Sequence, residues 1–137
     1  MPKFGLVGEG RTDHAVLHNI LLAYFDGLKG GEIGRAQPSD RSDRNEGSQG
    51  NWLEVLKYLE SSRFIEDLEA FDYLIVQIDT DIADEKHAAF TVRDEEGNKL
   101  SDVDIVNNVV SKLVEKINSI GTAYFDSIKD QIIFAVT

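Results

Sequence analysis

The feature that most limits what this chain can fold into is the run Tyr73–Ile78, YLIVQI, near its middle. Successive side chains of a strand point to opposite faces, so a nearly unbroken apolar run leaves neither face for water. That is the pattern of a central strand in a parallel sheet covered on both sides. Parallel strands cannot be joined by a tight hairpin; each connection needs a crossover of a dozen or more residues, usually a helix. The rest of the chain must therefore supply further strands alternating with helices.

It does so in order. Phe4–Val7 (FGLV) reads as a short buried strand ended by the Gly8-Glu9-Gly10 turn. Thr12 or Asp13 is placed to cap the helix that follows, in which Ala15, Val16, Ile20, Leu21, Leu22, Phe25 and Leu28 recur at helical spacing. Lys29–Gly50 is glycine-rich and poor in large apolar residues. It reads as a long functional or disordered loop, with a short strand near Glu32–Gln37. A second helix takes its apolar face from Trp52, Leu53, Val55, Leu56 and Leu59, and Phe64, Ile65, Leu68 and Phe71 extend it after a break. Beyond a polar, exposed stretch (Ala83–Leu100), Ser101 caps a third helix with the stripe Val103, Val106, Val109, Val110, Leu113, Ile117 and Ile120. The chain closes on the β-rich run Gln131–Thr137.

This alternation predicts one α/β domain over residues 1–137, a Rossmann-like fold with a mostly parallel sheet of about four strands and helices on both faces. Right-handed crossovers bring the carboxyl ends of the strands to one edge. The final run is of a buried type and has no polar tail, which leads us to expect the N-terminal part of a longer protein.

Composition narrows the function. The absence of cysteine rules out disulfides and thiolate zinc sites. The N-terminus, MPKFGLV, is too soon interrupted by Gly and Glu for a signal peptide, and no apolar run has membrane-spanning length. A soluble, cytoplasmic protein with no membrane partner is expected. A formal net charge of −11 is awkward for a free-standing nucleic-acid binder, whose affinity rests on Lys and Arg. It suits a chain that recruits divalent cations or works beside a basic partner, and equally one whose acidity simply keeps it soluble.

Acidic residues end two of the strands: Glu9 the first, Asp79 and Asp81 the central one. If those strands are parallel neighbours, three carboxylates converge on one sheet edge. They repel each other unless a cation neutralises them, and an all-oxygen site suits Mg2+ or Mn2+. Taken singly, each has a plain reading as a turn former or helix cap. Arg11, beside Glu9, is placed either to meet a phosphate or to balance the acidic edge. His14 and His18 stand four apart, on one helix face, but without the H-E-x-x-H of a zinc protease. The turn also lacks the third glycine of a dinucleotide fingerprint and the Gly-Lys-Ser/Thr of a P-loop.

GLVGEGRTDHAVL resembles the first motif of TOPRIM domains, an apolar strand ending in E-G-x-T-D/E before a helix, and LIVQIDTD resembles their second, an apolar strand ending in D-x-D. The wording E-G-R-T-D, and the Gly-Ser-Gln-Gly-Asn-Trp approach to the second helix, are most similar to OLD-type nucleases and uncharacterised TOPRIM-like proteins. The resemblance implies a Mg2+- or Mn2+-dependent nuclease, of the kind associated with phage defence or DNA repair. An ATPase partner fits the same resemblance. DNA before RNA is the expected substrate, and the acidic surface leads us to expect affinity from a partner, an absent C-terminal region or oligomerisation, as in a homodimer. Glu9, Asp79 and Asp81 match the family's catalytic, metal-binding acids. Asp13 matches a position where OLD-like members carry a further metal ligand or a support residue, and Asp84 with Glu85 would serve a second metal. Arg11, Arg41 and Arg44 are the candidate phosphate contacts; the later basic residue that such nucleases use has no evident match. Two other readings stay open. Asp79-Thr80-Asp81 also resembles the D-x-D of haloacid-dehalogenase phosphatases, with Asp79 as nucleophile, although that family carries it on the first strand. Alternatively, the acidic edge serves a non-catalytic binding or scaffold module.

Overall fold

The structure, a computed structural model, describes residues 1–37, 52–80 and 92–137. The elements are β1 (Phe4–Val7), α1 (Arg11–Tyr24), β2 (Ile33–Gln37), α2 (Trp52–Leu59), α3 (Ser62–Ala70), β3 (Tyr73–Ile78), α4 (Asp102–Asn118), α5 (Tyr124–Ile128) and β4 (Ile132–Val136). All four strands are parallel, in the order β2-β1-β3-β4. The chain is thus an α/β fold of Rossmann-like character, with β1 and β3 as its two central strands. None of the described helices is long and apolar enough to cross a membrane.

Strand alternation divides the core into two layers. On one face Phe4, Leu6, Ile33 and Ile75 pack with Leu21 of α1 and with Leu28 beyond it. On the other, Val7, Ala36, Leu74, Val76, Ile78 and Ile132 meet buried side chains of α2 to α5. Burying a Leu, Ile, Val or Phe side chain contributes about 1.5–3 kcal/mol, so this second, larger layer carries most of the packing. Gly5 and Gly34 are register partners, and together they leave the space that the Phe71 ring fills: a Cβ on Gly34 would lie 2.6 Å from Phe71 Cζ.

The short strand expected near Glu32–Gln37 is present as β2, entered from a 3-10 turn at 30–32. Other expectations are corrected. No side chain caps α1: it starts at Arg11 from an extended Gly10, which leaves Thr12 and Asp13 already inside the helix. In α4 the Ser101 cap is present, Oγ accepting from the Asp104 N–H at 3.2 Å. The buried row there is Ile105, Val109, Leu113 and Ile117, whereas Val103 is exposed. Two apolar rows run along this helix, and periodicity alone does not say which one meets the sheet. The helical stripe assigned to α1 is likewise only half buried: Val16, Ile20 and Leu22 face outward. The five-residue α5 is too short for any periodic signal.

Candidate active site

β1 and β3 run in register from Phe4↔Tyr73 to Val7↔Val76, which brings Glu9 level with the end of β3. There the Asp79 N–H donates to Glu9 Oε1 at 2.9 Å. The bond fixes the direction of the glutamate side chain and joins the two acidic strand ends. Glu9 is half-buried, and burial is the main reason that its carboxyl pKa is raised. The Asp79 N–H bond opposes the shift, while the negative charges of Asp13 and Asp79 add to it. Glu9, Asp13 and Asp79 are therefore within electrostatic reach of one another at one sheet edge.

The turn carrying Glu9 is held from behind. Gln37 O at the end of β2 accepts two bonds, from the Gly8 N–H at 2.8 Å and from Nε2 of the buried His14 at 2.7 Å. His14 thus ties α1 to β2. A Cβ at Gly8 would come into van der Waals contact with Asp13 Cβ and His14 Cδ2, 3.4 Å from each. From α3, Arg63 reaches the same strand end, donating to Ala36 O and Gln37 Oε1. On the β3 side, Thr80 is anchored by its Oγ1 and its N–H, both donating to Thr137 O.

Three residues at this edge, one of them the middle residue of the D-x-D, have no role that the sequence suggests. Thr80 and Lys99 line a groove of about 460 Å³ with Asp102, Val106, Val136 and Thr137. Lys99 sits there because Asp94 Oδ1 accepts from the Glu96 and Asn98 N–H groups, which turns the chain back on itself with Gly97 at φ +84°. Gln77 is the third: its Oε1 is buried without a hydrogen-bond partner. Native proteins rarely leave a buried acceptor unpaired. A larger groove, of about 540 Å³, lies on the α1 side between His14, His18, Asn19 and Arg35, over Leu6 and Ile33. The two histidines share it, as their spacing predicts, and neither Glu9, Asp13 nor Asp79 lines it.

Asp81, Asp84, Glu85, Arg41 and Arg44 lie outside the described residues, as does the side chain of Arg11. Among the described residues, no three His, Asp or Glu side chains gather closely enough to hold a metal ion by themselves. The donors nonetheless fit a hard divalent cation in kind: they are carboxylate oxygens, and Glu9 already feels excess negative charge. Mg2+ commonly takes only one or two protein carboxylates, completing its shell with water and substrate phosphate. The chain matches no protein-family model, no curated protein and no solved structure.

Proposed function

We propose that this chain is a TOPRIM-like catalytic domain that cleaves nucleic-acid phosphodiester bonds with Mg2+ or Mn2+. The observation that carries the reading is the Glu9–Asp79 junction: acids from the two motif-bearing strands, joined at the carboxyl edge of a parallel sheet. Ligands of open α/β sheets bind in the crevice at that edge.

Glu9 and Asp79, with Asp81, would hold the cation, and Asp13 would support them from the first turn of α1. The bound cation would activate a water and offset charge developing on the phosphoryl group. A cation bound to Glu9 would favour its charged form, whereas, where Glu9 serves as the general acid or base and not as a ligand, burial raises its pKa and suits it to carry a proton. The Asp79 N–H keeps its carboxylate aimed while it does so. Lys99, on the adjoining groove, is the basic group placed to contact a phosphate, with Arg11, Arg41 and Arg44 as further contacts. An acidic chain of net charge −11 gains its nucleic-acid affinity from elsewhere, and the OLD-like resemblance suggests an ATPase partner.

The test is cleavage of single- and double-stranded DNA and of RNA, with Mg2+ or Mn2+, by wild type, Glu9→Gln and Asp79→Asn. Loss of a positioned acid or base costs about 10²–10⁴-fold in rate. Metal-dependent cleavage that falls by that factor in both variants supports the reading; cleavage unchanged in either one overturns it.

A further inference from the structure

α1 has an unusual surface. Between Asp13 and Asp26 it carries no Lys, Arg, Asp or Glu, in a chain that is 28% charged. Its inner side is spoken for, with Leu21 buried and Leu17 packed against the layer over β1. Yet Val16, Ile20, Leu22 and Tyr24 are exposed, Ile20 to 55% and Tyr24 to 80%. A helix that is apolar around most of its circumference is normally buried on more than one side.

Helical geometry gives the direction of this second side. His14 and His18 line the groove toward β2. At 3.6 residues per turn, Val16 and Ile20 occupy the opposite flank, toward β3 and β4. On that side the sheet carries its own exposed apolar residues. Tyr73 and Ile133 share the face of Ile75 by strand alternation and pairing, and both are exposed. Among the described residues, α1 is the one helix on this face, and it packs over β1 with β4 two strands away. Two strand spacings are about 9.6 Å, and packed helices lie about 8–10 Å apart. One helix-wide place therefore stands beside α1.

We infer that this face is the interface of a homodimer in which each copy lays its α1 over β3 and β4 of the other. The result is a sandwich of two sheets around a pair of helices. The surface is self-complementary, carrying both the projecting helix and the space beside it, as an isologous contact requires. The exposed apolar side chains amount to on the order of 500 Å² per copy, near the upper range for a monomer. Two such faces together bury on the order of 1,000 Å², the threshold of a specific interface. The exposed stretch of α1 is also free of charge, so the contact brings no like charges together, whereas a basic partner would find nothing on that helix to pair with. The two-fold axis runs along α1. Ile20 therefore meets Ile20 of the second copy, and both acidic edges lie at the same end of the dimer. None of this depends on the proposed chemistry.

The test combines light scattering with cross-linking. Wild type is expected at twice the 15.3 kDa chain mass, and Ile20→Lys and Ile133→Lys at half that value with unchanged circular dichroism. Because the native chain has no cysteine, Ile20→Cys reports the contact directly without relying on a disruptive variant. It is expected to form an interchain disulfide on oxidation, while Ser111→Cys, exposed on α4, does not. A monomeric wild type, a dimer that survives both lysine substitutions, or equal cross-linking at both cysteine positions would overturn the inference.

Discussion

The Asp79 N–H donates to Glu9 Oε1 at 2.9 Å, a single bond that closes a gap of 70 residues in sequence. It joins the ends of the two central strands and sets a half-buried carboxylate beside two others. An arrangement that raises the pKa of its own carboxyl is kept at a cost to stability, and that cost can be measured.

Glu9 binds its proton more tightly in the folded chain than in the unfolded one. Stability therefore falls as pH rises from the ordinary glutamate value through the raised folded value, and the whole loss is present above both. Glu9→Gln keeps the acceptor for the Asp79 N–H and removes the charge. It is expected to stabilise the fold at about pH 8 by a few tenths of a kcal/mol, in keeping with a half-exposed charge, and to make little difference near pH 4. Urea midpoints at the two pH values give the comparison. A variant less stable than wild type at the higher pH would show that the negative edge imposes no such penalty.

Gly34 is required by Phe71. A methyl group there would lie 2.6 Å from the ring and force it out of its slot against β1 and β2. Gly34→Ala should cost about 1–3 kcal/mol, as overpacked cores do. Combined with Phe71→Leu it should cost less than the sum of the two single changes, because the clash is then gone. Thermal unfolding of the four proteins measures the coupling; strict additivity would remove Phe71 as the cause.

Much of this architecture is legible in the residues themselves. The apolar runs FGLV and YLIVQI coincide with β1 and β3, and the acids that follow them meet because those strands are parallel neighbours. Contacts that no motif marks are illegible. His14 reads as a surface or ligand residue until Gln37 is seen to end β2 beside it. Lys99 has no motif, and reaches the edge only through the turn at Asp94–Gly97. Val16 and Ile20 share the apolar periodicity of core residues, and periodicity does not report which side of a helix finds a neighbour within the chain.

His14 is expected to act on the site through position alone. His14→Ala removes the bond to Gln37 O and opens a cavity beneath Gly8, at about 2–4 kcal/mol from the lost packing and hydrogen bond. Cleavage under folding conditions should then fall with the loss of order at the Glu9 turn, without a change in its metal requirement. A folded His14→Ala variant with a new metal preference would make His14 a ligand instead.

Tyr58, on α2, gives a second pH signature. Its hydroxyl donates to Asp67 Oδ2 at 2.6 Å, and burial together with that bond pushes the phenol well above its ordinary value. The folded chain keeps this proton where the unfolded chain releases it, so stability is lost as pH rises past the ordinary tyrosine value. Absorbance titration should show Tyr58 ionising only with unfolding, a late step absent from Tyr58→Phe. If instead all four tyrosines titrate in a single step in folded wild type, the buried phenol is misassigned.

The most direct measurement of the central claim is calorimetric titration of Mn2+ into wild type, Glu9→Gln and Asp79→Asn. With the acidic edge as the cation site, wild type binds Mn2+ and each substitution weakens the affinity by about tenfold or more, since one or two carboxylates carry most of such a site. Equal binding by all three proteins, or none by wild type at about 1 mM Mn2+, would contradict it.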